Sequence, residues 1–177
     1  SFYTKDKPIN SPEDLKGLKI RVMESVTAMN MINSLGGSAT PISWGELYTS
    51  LQQGVVDGAE NNPPSFYLSR HYEVCKYYSL DEHTVLPDVL IIGTHLWDRL
   101  SDQEKKWLKQ AVDSSVDYQR KLWAEAEKEA LEEVQKAGVK IIYPDKTLFS
   151  SKVQDVYSDL KNDQEMSQII KRIQNTN

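Results

Sequence analysis

Leu18-Lys19-Ile20-Arg21-Val22 alternates apolar and basic side chains, the period-two pattern of a half-buried strand. Just ahead of it, Ser11-Pro12-Glu13-Asp14 supplies a cap residue, a proline at the first helical position and acids in the first turn, which predicts a helical turn ended by Gly17. Apolar positions 28, 29, 31, 32 and 35 predict a short helix over 27–35, stopped by Gly36-Gly37. Residues 39–42 read as a second short strand, and 44–53 as a helix with Leu47, Tyr48 and Leu51 on one face, closed by Gly54. Residues 55–59 form a short apolar piece that runs into a turn. Glu60-Asn61-Asn62-Pro63-Pro64 is a loop or a helix entrance on backbone that proline stiffens. Strand-like runs follow at 73–80 and 85–94. Strands alternating with short helices predict βαβ units and a mainly parallel sheet, hence an α/β fold.

The pattern changes at Ser101. Ser101 and Glu104 form a capping-box pair, the periodicity is helical throughout, and Gly138 closes the segment. About 34 helical residues span roughly 50 Å, more than the ~40 Å breadth of a compact domain of this length. The helix therefore either bends near Asp113-Ser114-Ser115 or lies across two domains. Lys121–Glu125 and Glu132–Lys136 attract at helical spacing while Glu125–Glu129 repel, each by a few tenths of a kcal/mol, so its charged side reads as a solvated surface. Residues 139–143 read as a strand, and 148–160 and 165–173 as terminal helices.

Composition bounds the function. The 177 residues are 39% hydrophobic and 27% charged, enough for the core of one domain or of one domain plus part of another. A net charge of −5 argues against electrostatic binding of nucleic acid or an anionic membrane. No apolar run reaches membrane-spanning length, and the first ten residues lack the apolar stretch of a secretion signal. The single cysteine, Cys75, excludes an internal disulfide and a thiolate zinc cluster, and its apolar setting predicts a buried inert thiol within a strand. His71, Glu73, Asp81, Glu82, His83 and His95 invite a metal or catalytic reading, but HYE and DEH lack the spacing of a helical zinc site. Hydrolase-elbow, phosphate-loop and dinucleotide fingerprints are missing from the sequence. The expectation is a binding protein without catalysis, cofactor or metal.

Several segments match one family in one order. DLKGLKIRV (14–22), LGGSATPISWGELYTSLQQGVVDGAENN (35–62), HYEVCKYYSLDEH (71–83) and a long charged helix followed by GVKIIYPD (138–145) closely resemble the periplasmic solute-binding proteins of tripartite ATP-independent periplasmic (TRAP) transporters, the DctP-like family. The resemblance covers about residues 8–150 and implies one lobe of a two-lobed periplasmic-binding-protein fold, with a long lobe-spanning helix and C-terminal helices. It implies a second, C-terminal ligand-binding lobe over 1–100, the spanning helix over 101–138, and a C-terminal strand and helices over 139–177, with the first lobe absent. Exposed apolar surface along the long helix and the sheet edges, and self-association of the chain, are then expected. The implied partners are a small organic acid and the membrane permease subunits of the transporter, and the implied location is the periplasm.

Tight binding of a carboxylate calls for a planar, permanently charged donor with paired N–H groups, which arginine provides. Arg21, near the end of its strand, would project at the carboxyl edge where open α/β sheets build ligand crevices. The resemblance gives it the carboxylate-clamping role; without it, a surface residue or ion-pair partner is the ordinary reading. Asn61 matches the position whose amide reaches the bound acid, the alternative being an Asx turn or helix cap with Asn62. Trp44 matches an aromatic position that packs on the ligand's carbon skeleton, or else packs in the core. Glu24 is a candidate to accept hydrogen bonds from sugar hydroxyls, as is Asn61, and a carboxylate at 24 would repel a second ligand carboxylate; Glu60 is a further ligand-binding candidate. A uronate or aldonate is therefore favoured over a C4-dicarboxylate, which remains the alternative together with a ligand-sensing module of the same fold. His83 has a family precedent near the ligand through water. A further arginine that the family often carries just upstream of KPIN has no counterpart in 1–7.

Overall fold

The computed structural model describes residues 1–153, 157 and 163–176. Six strands form one sheet in the order β3-β2-β4-β1-β5-β6: β1 (Phe2–Thr4), β2 (Lys19–Val22), β3 (Ser38–Pro41), β4 (Gly58–Glu60), β5 (Tyr77–Ser79) and β6 (Lys140–Ile142). The β2–β3, β2–β4 and β5–β6 pairs are parallel, whereas β1 is antiparallel to both β4 and β5. Every strand except β1 therefore runs in one direction, and the carboxyl ends of β2, β3, β4 and β5 share one edge.

Register assigns the side chains to faces. Thr40, Arg21, Ala59, Tyr3, Tyr78 and Ile141 are successive cross-strand partners, so they project on one side of the sheet. On that side Tyr3, Ala59 and Tyr78 pack with Leu47 and Leu51 of α2 (Leu47–Gln53), Phe66 of α3 (Pro63–Leu68) and Val134 of α5 (Asp102–Lys136). Phe2, Ile20 and Val22 face the other way, against Leu15, Ile32 and Leu35 beside α1 (Val26–Ser34), and Phe149 of α6 (Lys146–Lys152). Because α1 and α2 cover opposite faces, the chain reverses direction across the sheet between β2 and β4, where a crevice opens at the carboxyl edge.

Local chemistry sets the element ends. The Asp14 carboxylate accepts from the backbone amides of Asn10 and Ser11, holding the 3-10 turn Pro12–Leu15 that leads into β2. Trp44–Glu46 is a further 3-10 turn before α2. Glu104 accepts from the Ser101 amide while the Ser101 hydroxyl accepts from the Glu104 amide, so the predicted capping box starts α5. The helix then runs unbroken for 35 residues through 113–115. Only Ala130 and Val134 of α5 are buried, while Trp107, Leu108, Val116, Leu122 and Trp123 are exposed. Lys121–Glu125 pair at 4.0 Å, but Lys136 bonds Glu133 rather than Glu132, which pairs with Lys128.

Other expectations need correction. The run 85–93 has no secondary structure, and α4 (Thr94–Arg99) begins at its end. Val85, Leu86, Val89, Leu90 and Ile91 are exposed, because no strand lies beside them to complete a hydrogen-bond ladder. The run 73–80 narrows to β5, preceded by the 3-10 turn His71–Glu73. Cys75 is buried as predicted but lies ahead of β5 rather than in it, and burial pushes its thiol pKa up to about 12. The helix expected to continue to 160 falls partly outside the described residues, and α7 (Gln164–Gln174) follows. Among the described residues no helix is long and apolar enough to cross a membrane.

Candidate functional site

All six sequence-selected residues lie on or just beyond the carboxyl ends of parallel strands. Arg21 is on β2 and Glu24 follows it; Trp44 follows β3; Glu60 ends β4 and Asn61 follows; His83 comes after β5. Their chain separation of up to 62 residues collapses onto one edge because β2, β3, β4 and β5 point the same way.

Arg21 is only 5% exposed. Its Nε donates to the Ile42 carbonyl at 2.7 Å, and its Cζ lies 5.5 Å from the Trp44 ring centre. Among the described residues it has no carboxylate partner. Burial lowers its pKa from the ordinary arginine value, with Tyr3 and Glu60 acting in the opposite sense, yet a guanidinium stays charged at any working pH. A nearly buried cation whose two terminal nitrogens have no anion is arranged to receive one.

Asn62 takes the capping role, and Asn61 bonds within its own loop. The Asn62 side chain accepts from the Ser65 amide and caps α3, where Pro63 fits the first helical position. Asn61 Oδ1 accepts from the Asn62 amide at 2.9 Å, and the Asn61 carbonyl accepts from the Tyr78 hydroxyl at 2.8 Å. The amide oxygen is thus used locally, which leaves Nδ2 as the available donor. Trp44 is 42% exposed, so it is not a core residue.

Glu60 and His83 meet next to Phe2. His83 stacks on Phe2 with ring centres 4.2 Å apart, and its Nδ1 is 2.5 Å from Asp81 Oδ2. Asp81 is itself fixed by accepting from the Phe2 amide. The Asp81 carboxylate can only accept there, so Nδ1 carries a proton. The His83 Nε2 is buried, has no hydrogen-bond partner among the described residues, and lies 3.8 Å from Glu60 Oε2. A hydroxyl placed between them would satisfy it. Glu24 is exposed.

Reading the sequence did not reveal the support behind this edge. Tyr3 and Asp81 anchor His71 and His83 respectively, and the Ile42 carbonyl orients Arg21. Nothing in their local sequence marks them, since each depends on strand register. Among the described residues no three His, Cys, Asp or Glu side chains form a metal-holding group. A shallow depression of about 210 Å³ lies between His83 and Phe149 of α6, but its cation Lys146 is already paired with Glu82, so it offers a carboxylate less than Arg21 does.

Comparison with known proteins agrees with this geometry. The family model for bacterial extracellular solute-binding protein family 7, DctP, matches residues 1–164. A solute-binding protein of Chromohalobacter salexigens is 43% identical over 158 residues, covering 89% of this chain and 47% of that protein. A TRAP periplasmic solute-binding protein structure from the same species, with bound D-glucuronate, superimposes with a TM-score of 0.92 at 40% identity, covering 98% of this chain and 58% of that one. A counterpart from Xanthobacter autotrophicus with bound β-D-galacturonate gives 0.90 at 42% identity, covering 100% and 59%. The chain thus spans about half the length of the curated relatives it matches, and its mixed sheet with the long helix is the architecture of part of those structures. The motifs, the sheet order and these matches agree: the chain belongs to the DctP family, bacterial extracellular solute-binding protein family 7.

Proposed function

We propose that this chain supplies one wall of the ligand cleft in an extracytoplasmic, periplasmic solute-binding protein of a TRAP transporter, which captures a sugar acid and delivers it to the membrane permease subunits. The observation that carries the reading is Arg21: a nearly buried guanidinium beside Trp44, without a carboxylate partner among the described residues, at the crevice between β2 and β4. In this reading Arg21 clamps the ligand carboxylate and Asn61 Nδ2 donates beside it. Trp44 covers the apolar face of the sugar ring, and Glu60 with His83 reads hydroxyls. The unpartnered Nε2 of His83, with Glu60 and Asp81 beside the ring, suits a polyhydroxy monoacid, and the glucuronate and galacturonate held by similar proteins support that class.

The domain reading belongs to the same proposal: residues 1–100 form a C-terminal ligand-binding lobe, 101–138 the spanning helix, and 139–177 the strand and helices that close it. A first lobe in the complete protein would cover the exposed apolar residues of α5 and 85–92. Calorimetry on the complete protein with D-glucuronate, D-galacturonate and succinate tests the function. Uronate binding with weak or no succinate binding is expected. Preference for succinate would transfer the reading to C4-dicarboxylates, and no binding of any acid would point to a sensing or interaction module.

A further inference from the structure

His71 is the buried titratable group that the proposed cleft does not use. It is 2% exposed, and it links the sheet interior to Trp44. Its Nδ1 lies 2.9 Å from the Tyr3 hydroxyl. Its ring centre is 5.1 Å from that of Trp44 and 6.5 Å from that of Tyr48.

Tyr3 cannot move easily. It is fully buried on a central strand, paired with Ala59 on one side and Tyr78 on the other, with the Phe66 ring 4.7 Å away. Among the described residues its hydroxyl has no partner except His71, and burial raises its pKa well above the ordinary tyrosine value, so it keeps its proton. An unpaired buried hydroxyl is costly, so Tyr3 donates and His71 Nδ1 accepts. The imidazole is therefore neutral and protonated on Nε2.

Trp44 has little else to hold it. It sits on a three-residue 3-10 turn and is almost half exposed. Among the described residues its ring contacts are the Arg21 guanidinium and the His71 ring. A phenylalanine at 71 would preserve the tilted ring contact with Trp44 but orphan the Tyr3 hydroxyl; an aliphatic residue would do neither task.

We propose that His71 is a positioning residue: anchored by Tyr3, it holds the Trp44 indole beside Arg21 so that the carboxylate clamp and its aromatic wall are ordered before ligand arrives. The proposal rests on the sugar-acid reading for its consequence in affinity, but not for its consequence in Trp44 order. Ordering a side chain in advance removes that cost from binding.

The test is 19F NMR of the complete protein labelled with 5-fluorotryptophan, the Trp44 signal being assigned by its loss in Trp44→Phe. The wild type is expected to show one narrow Trp44 signal without ligand. Tyr3→Phe, which removes only the anchoring hydroxyl, and His71→Asn, which keeps an acceptor for Tyr3 but lacks the ring, are both expected to broaden or split it. D-glucuronate Kd should rise about three- to tenfold in each, the cost of ordering one side chain on binding. His71→Asn should also melt closer to wild type than His71→Ala. A Trp44 signal unchanged in both variants overturns the proposal, even if their melting points fall, because His71 would then be only a structural residue. Failure of wild-type protein to bind glucuronate would refute the sugar-acid reading while leaving the Trp44 signal to decide this one.

Discussion

The Arg21 guanidinium stands 5.5 Å from the Trp44 ring centre with its Nε already committed to the Ile42 carbonyl. That backbone bond restrains the guanidinium, and Arg21 and Ala59 are direct neighbours across β2 and β4. The Ile42 carbonyl and the Trp44 indole thus hold the guanidinium without neutralising it.

Replacing Arg21 by alanine in the complete protein is expected to raise the Kd for D-glucuronate at least about 100-fold, since truncating a buried charged hydrogen bond costs roughly 2–5 kcal/mol. Arg21→Lys should recover little of this, because an ammonium cannot present two parallel N–H groups. Calorimetry on both variants checks the clamp, and an alanine variant that binds like wild type refutes it.

Asn61 tests a different feature. Its Oδ1 is held by the Asn62 amide, so Asn61→Asp keeps that local bond but exchanges the Nδ2 donor for a charged oxygen near the ligand carboxylate. Affinity should fall by more than about tenfold, the loss of a hydrogen bond to a charged group at roughly 1.5–3 kcal/mol, while the melting temperature of the free protein changes little. Parallel calorimetry and thermal melts separate the two effects; equal affinity removes Asn61 from the site.

Much of this was legible in the chain, for identifiable reasons. The alternation in 18–22 exposed β2, and Ser101 with Glu104 marked the start of α5, because those signals are local. β1 and β4 escaped notice, since three-residue strands are too short to display a period and β1 is buried throughout. Residues 85–94 looked like a strand because apolar pattern reports what a segment would bury, not whether a neighbour exists to pair with it. Arg21, Trp44 and Asn61 were found through their family motif. The Tyr3–His71 bond, between residues 68 apart, was not, since only the tertiary packing of the turn His71–Glu73 against β1 brings those two groups together.

Gly58 marks a close backbone approach between β4 and β1. A Cβ built there would lie 2.3 Å from the Tyr3 carbonyl oxygen and 2.9 Å from Thr4 Cγ2, so β1 and β4 can pair at this register only over glycine. Gly58→Ala is expected to destabilise the fold by more than about 2 kcal/mol through overpacking. Urea unfolding checks this; a change below about 0.5 kcal/mol would mean that β1 sits elsewhere.

His71 also predicts how stability depends on pH. Burial, and then the charge of Arg21, lower its pKa from 6.5 to about 4 in the folded protein. Between those two values the unfolded chain binds a proton that the folded protein refuses, so the unfolded state is favoured progressively as pH falls. The contribution is complete above about pH 6.5, is lost on descent toward pH 4, and levels off below it, amounting to about 3 kcal/mol at most. Glu13, Glu104 and Asp145, whose pKa values are lowered by local hydrogen bonds, act in the same sense but at more acidic pH. The difference between wild type and His71→Asn isolates the imidazole. Wild type should lose stability relative to the variant between pH 6.5 and 4, as measured by urea unfolding at half-unit intervals, and a pH-independent difference would show that His71 is not held neutral by its burial and by Arg21.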